Sequence, residues 1–136
     1  MKNSIVIFML MLGFSSTKTA AQSIIWLDEN LQETTHKEAF YYTNKLKTDG
    51  EVLYYFKGKI STDKNIFRKI FYENGKPNGT FYEYYSSGEL KESGSYENGL
   101  RNGNWKEYYK NGKILKKGRY KDNEKIGIWK VFYKNI

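Results

Sequence analysis

Gly79-Thr-Phe81-Tyr-Glu-Tyr84-Tyr85, Gly103-Asn-Trp105-Lys-Glu-Tyr108-Tyr109 and Gly127-Ile-Trp129-Lys-Val-Phe132-Tyr133 are one phrase written three times at a spacing of 24 residues. Other marks keep step with it: Gly88 with Gly112, Leu90 with Ile114, Gly94 with Gly118, and Tyr96 with Tyr120. A fixed period of this length marks a repeat array, in which each unit buries its apolar face only by stacking on the next.

Within one copy, Asn111-Gly112 reads as a two-residue type I′ turn, because both residue types tolerate positive φ. It joins strands expected at 104–110 and 113–121. That turn pairs Lys110 with Lys113, Tyr109 with Ile114, Tyr108 with Leu115, Glu107 with Lys116, Lys106 with Lys117 and Trp105 with Gly118. Alternation then puts Trp105, Glu107, Tyr109, Ile114, Lys116, Gly118 and Tyr120 on one face, and Lys106, Tyr108, Leu115, Lys117 and Arg119 on the other. Gly118 opposite Trp105 leaves room for the indole to lie on bare backbone. The preceding copy repeats the device with Phe81 over Gly94, and with Tyr85 beside Leu90. Glu107–Lys116 becomes Glu83–Glu92, so the ion pair is not part of the repeat. Phe81, Trp105 and Trp129 form a ladder with Tyr85, Tyr109 and Tyr133 beside it. Asn123 standing for Gly99 marks a left-handed position in the link between copies. The expected fold is all-β: an elongated antiparallel meander of stacked hairpins in a single twisted sheet.

Upstream, Tyr54-Tyr55-Phe56-Lys57-Gly58 aligns with Tyr84-Tyr85-Ser86-Ser87-Gly88 as a degenerate earlier copy. A polar insertion near Ser61 to Asn65 reads as a loop, and Ile66 to Tyr72 as a strand. Asp49-Gly50 is a two-residue hairpin signal between strands expected at 38–42 and 51–56. Residues 22–49 then cap the array, with a short strand at 24–27, and 50–136 form it. The first 21 residues read as a cleaved signal peptide: Lys2, an apolar run from Ile5 to Phe14, and a small-residue exit ending at Ala21. The chain has no cysteine, which excludes a lipid-modified cysteine and disulfides. The expectation is an exported protein, periplasmic or secreted, and not a lipoprotein. Cleavage removes Lys2 and Lys18 and no acid, so the net charge falls from +8 to +6.

The pattern Gly-x-Trp/Phe-x-x-Tyr/Phe-Tyr-x-x-Gly-x-Ile/Leu, followed by Gly-x-Tyr-x-x-Gly/Asn, resembles the bacterial variant of the MORN (membrane occupation and recognition nexus) repeat. Such arrays are similar to the YwqK-type antitoxin family. The resemblance covers about residues 50–136. It implies a hairpin-array fold and an antitoxin or immunity role exercised by binding a partner protein.

No catalytic constellation is visible in the sequence. His36, the single histidine, stands beside Thr34, Thr35 and Lys37 and reads as an exposed loop residue. Glu83 and Glu107 recur at the repeat spacing but give way to Val131 in the third copy, so they read as strand residues. Calcium loops and phosphate cradles have no motif here, and the expectation is no enzyme, no cofactor and no metal site. What remains is surface. The structural marks of the repeat are Phe81, Trp105, Trp129, Gly94, Gly118, Gly88 and Gly112. The candidate partner contacts are Tyr82, Tyr84, Tyr108, Lys106, Lys130 and Tyr133. The expected partner is another protein, with an anionic membrane surface or a glycan as the second class. With arginine only at positions 68, 101 and 119 and no recognition-helix pattern, nucleic acid is not expected. The last strand, 129–133, reads either as an open edge guarded by Lys130 and Lys134 or as a place where a partner adds a strand.

Overall fold

The computed structural model describes residues 23–44, 49–58 and 65–133. The expected signal segment and nearly all of the polar insertion, Asn65 apart, lie outside the described residues. The described chain forms β1 (Ile25–Leu27), β2 (Tyr41–Thr43), β3 (Gly50–Phe56), β4 (Ile66–Glu73), β5 (Lys76–Tyr84), β6 (Leu90–Glu97), β7 (Leu100–Tyr108), β8 (Ile114–Lys121) and β9 (Glu124–Val131). All nine join one open antiparallel sheet in chain order, so each strand pairs only with its sequence neighbours. Among the described residues, no helix is long and apolar enough to cross a membrane.

Two turn types alternate along the meander, and the type I′ turn expected at Asn111-Gly112 lies instead in the links between hairpins. The links Asn74-Gly75, Asn98-Gly99 and Asp122-Asn123 carry positive φ at both residues, at 50° and 70°, 50° and 87°, and 51° and 70°. They close Glu73 on Lys76, Glu97 on Leu100 and Lys121 on Glu124, as two-residue type I′ turns do. Asn123 does occupy the left-handed position. At Asn111-Gly112 only Gly112 has positive φ, at 80°. Tyr109 accepts from the Gly112 amide and donates to the Lys113 carbonyl, both at 2.9 Å, so the loop has three residues. Gly88 and Tyr85 build the same loop one copy earlier.

The longer loop changes the register beside it. Glu107–Lys116, Lys106–Lys117 and Trp105–Gly118 pair as expected, but Tyr108 faces Ile114 and Leu115 is left as a bulge. Likewise Leu90 faces Tyr84 rather than Tyr85, with Lys91 as the extra residue. Upstream, Gly50 is not a turn residue: it opens β3 and pairs with Tyr72. The expected strand at 38–42 is shifted, because Thr35 accepts from the Glu38 and Ala39 amides in a turn and β2 starts only at Tyr41.

Both faces of the N-terminal part hold apolar residues. Leu27, Val52, Tyr54, Phe67, Ile70, Tyr72, Phe81 and Trp105 form the main core. Tyr42, Tyr55 and Ile66, with Trp26, Leu53 and Tyr84 against them, form a second cluster. Among the described residues the second cluster ends at Tyr84 on β5, and from β7 onward the same face carries cations.

Candidate functional site

The aromatic ladder is built differently from the expected hairpin pairs. Trp105 faces Gly118 in register, yet a Cβ on Gly118 would meet Trp129 at 2.3 Å. A Cβ on Gly94 would meet Trp105 at 2.2 Å, not Phe81. Each indole therefore covers the glycine of the preceding hairpin, which stitches one repeat to the next. The first junction solves the same volume problem in another way: Ile70 faces the smaller Phe81, where later copies use Gly with Trp. The residues beside the indoles are Tyr96 and Tyr120, which make edge contacts with Trp105 at centroid distances of 5.4 and 5.7 Å. They are not Tyr85, Tyr109 and Tyr133. Two of those serve elsewhere: Tyr85 and Tyr109 donate their hydroxyls to the carbonyls of Tyr108 and Phe132, each at 2.8 Å. At the other end of each hairpin, the Gly99 amide donates to the Pro77 carbonyl and the Asn123 amide to that of Arg101. Every pair of adjacent repeats is clasped twice, at equivalent positions.

Charges on this face are internally matched. Arg68, Glu83, Glu92, Glu107 and Lys116 are successive cross-strand partners on five strands. Three carboxylates side by side would repel, but each has its own cation. Arg68 and Lys91 each bind Glu83 at 2.7 Å, Arg101 binds Glu92 at 2.8 Å, and Lys116 binds Glu107 at 2.7 Å. Burial by itself would raise the Glu83 carboxyl, but the hydrogen bonds from Lys91 and Arg68 outweigh it and hold the pKa low. At Glu92 burial dominates Arg101 and the pKa is raised. Arg101 also lies over Trp105, 4.0 Å from the ring centroid, and Lys125 stands over Trp129 at 4.8 Å. Arg101 and Lys125 are 24 residues apart, a repeat mark the sequence reading missed although the spacing displayed it.

The opposite face is unbalanced. Its equivalent row runs Leu53, Lys69, Tyr82, Ser93, Lys106, Lys117, Lys130 across seven strands. The last three lysines are direct neighbours on β7, β8 and β9, where strands stand about 4.8 Å apart. Arg119 lies beside them, opposite Asn104. None of the ion pairs among the described residues involves Lys106, Lys117, Lys130 or Arg119. A depression of about 320 Å³ is lined by all four together with Asn104 and Ile128. The structure thus brings Lys106 and Lys130 together and adds Lys117 and Arg119. Both sit on the face that alternation had assigned them, without having been singled out as contacts.

The remaining candidates separate. Tyr82 is half-buried in the same row, near Ser93 and Lys106. Tyr108 places its hydroxyl 3.3 Å from that of Ser93. Tyr84 packs against the second core cluster, and burial raises its pKa. Tyr133 is 83% exposed, beside Phe132 and Lys117 rather than in the lysine row. His36 is exposed, with its ring edge-on to Trp26 at 4.5 Å.

Comparison with known families gives residues 77–98 and 101–122 as matches to the MORN repeat variant. Two adjacent MORN-type repeats are present. Each spans one three-residue-loop hairpin, β5–β6 and β7–β8, and the shared 24-residue spacing carries the pattern into β9. No curated protein matches the chain. MORN repeats are generally non-catalytic modules that bind proteins or membranes. The face on which this chain carries unpaired cations among the described residues is the one opposite the aromatic ladder.

Proposed function

We propose that this chain is an exported, non-catalytic repeat scaffold that binds an acidic surface of another protein through the face carrying Lys106, Lys117, Lys130 and Arg119, as an antitoxin or immunity component does. The observation that carries this reading is the contrast between the two faces. Every glutamate of the row on the packed face has a cation within 3 Å; on the other face Lys69 pairs with Glu51 at 3.3 Å, but Lys106, Lys117 and Lys130 take part in no ion pair among the described residues. Like charges set directly opposite one another destabilise a sheet. A row of three is consistent with selection for an external anion. Non-catalysis is supported by the repeat type and by the absence of a motif in the sequence.

The test is capture from cell-envelope extracts with the wild-type chain and with Lys106→Glu/Lys117→Glu/Lys130→Glu. A stoichiometric partner retained by the former and lost by the latter is expected. A partner retained equally by both would remove the lysine face from the interface. The second reading, an envelope module for anionic lipid or glycan, rests on the same exposed cations and on Tyr82, which Ser93 separates from Lys106 in the row. It requires binding to anionic but not neutral vesicles, weakened by salt. Salt-independent binding, or none, would dismiss it.

A further inference from the structure

Among the described residues β9 has a neighbour on one side only, and near its other edge exposed apolar side chains concentrate: Ile128 is 84% exposed, Val131 46%, Phe132 41% and Tyr133 83%. Long apolar edges invite strand pairing. Lys130 is the only cation between Ile126 and Tyr133 on this strand.

What the edge lacks can be read from its equivalent inside the array. Just past β7 the amide of Tyr109, the equivalent of Tyr133, donates forward to the Lys113 carbonyl ahead of β8. Just past β9 the amide of Phe132, one residue before Tyr133, donates backward to the Leu115 carbonyl at 2.8 Å. Alternation then turns the backbone groups of Gly127, Trp129 and Val131 toward the open edge. Inside the array each ladder aromatic also faces a glycine on the next strand: Phe81 faces Gly94, and Trp105 faces Gly118. Among the described residues no strand follows Trp129. Gly127 has open space where a Cβ would stand, so nothing in its own chain fills that position.

We infer that β9 pairs with β9 of a second copy, antiparallel and centred on Ile128, continuing the sheet through a two-fold axis. A two-fold register must join outward-pointing residues to outward-pointing residues. Centring on Ile128 does so, and it sets Gly127 of each copy opposite Trp129 of the other, an aromatic facing a glycine as Phe81 faces Gly94 and Trp105 faces Gly118 within their hairpins. It sets the two Ile128 side chains against each other, Lys130 against Ile126 and Lys125 against Val131, with no two cations facing. Centring on Trp129 would oppose two indoles. Centring on Lys130 would oppose two ammonium groups. This inference is argued from the edge strand and does not rest on the proposed function, although Ile128 and Lys130 also line the depression on the lysine face.

Sedimentation equilibrium of the full chain tests it. The wild-type protein is expected at twice the monomer mass of 16.1 kDa, less the signal segment if cleaved. Ile128→Lys is expected to be monomeric with an unchanged circular dichroism spectrum, because the side chain touches little in its own chain. The register has a separate test, since the chain contains no cysteine. Ile128→Cys places two sulfur atoms in a directly opposed pair with Cα atoms about 4.5 Å apart, within reach of a disulfide. Lys130→Cys separates them by about 13 Å, four residues along the strands. Ready oxidation of the first to a covalent dimer, and not of the second, supports the register. A monomeric wild type, a dimeric Ile128→Lys, or preferential cross-linking through position 130 would each overturn the proposal.

Discussion

Trp105 and Trp129 occupy the same position in two copies of one phrase, yet they live in different environments. Trp105 is 1% exposed, lying over Gly94, between Tyr96 and Tyr120 and beneath Arg101. Its indole N–H reaches the Asn102 carbonyl at 3.3 Å. Trp129 lies over Gly118 and beside Tyr120, but it is only half-buried, and its indole nitrogen is buried with no hydrogen-bond partner among the described residues. Identical sequence marks therefore do not carry identical energy. In a one-dimensional array a residue is worth what both neighbouring strands supply, and the last copy has one.

The comparison breaks most visibly on deletion of the rings. Trp105→Ala should cost about 4 kcal/mol by chemical denaturation, as expected for a fully buried tryptophan. Trp129→Ala should cost clearly less than half of that; equal losses would mean that β9 is not an edge. Second in size is insertion at the glycines. Gly94→Val should destabilise by about 3 kcal/mol through overpacking against Trp105. Gly118→Val should cost less, because Trp129 can swing into solvent, and it should raise Trp129 fluorescence quenching by iodide. Were Gly118→Val to perturb Trp105 instead, the assignment of indoles to preceding glycines would be wrong.

The charged row sharpens the contrast through pH. Glu83, with its lowered folded pKa, contributes stability that is present above its unfolded value and is lost as pH falls through the folded one. Glu92, with its raised folded pKa, has the opposite sign: its contribution is present below the unfolded value and is lost as pH rises through the folded one. Glu83→Gln should therefore flatten the loss of stability in acid and cost about 2 kcal/mol at neutral pH. Glu92→Gln should steepen that loss. Melting temperatures between pH 3 and 7, roughly spanning the carboxylate range, check both, and parallel shifts of the two variants would contradict the assignment. The smallest effect is expected at the clasps. Tyr85→Phe and Tyr109→Phe should each cost about 1 kcal/mol, and Tyr133→Phe nothing measurable within the monomer.

Much of the fold was legible because it is local. The 24-residue spacing, the positive-φ position at Asn123 and the Trp105–Gly118 pairing all follow from residues on one strand or one hairpin. The turn types were not. Asn98-Gly99 and Asn111-Gly112 are the same dipeptide, and only the number of residues between paired strands makes one a type I′ turn and the other part of a three-residue loop. The lysine row was half legible. Alternation placed Lys106, Lys117 and Arg119 on one face, but bringing Lys130 beside them required the β8–β9 register, which a bulge at Gly118 resets.

The amino-acid sequence determined the repeat, the order of strands and the residues that must be aromatic or glycine, because backbone conformation and strand alternation act over a few neighbouring positions. The tertiary structure decided which glycine each indole covers. Trp105 has a glycine on both flanking strands, at positions 94 and 118, and pairing within its hairpin sets it opposite Gly118. The indole turns toward Gly94, where Phe81, Tyr96 and Arg101 close around it, and leaves Gly118 to the next tryptophan. That choice depends on side chains from three strands at once, and the spacing within a single copy does not encode it.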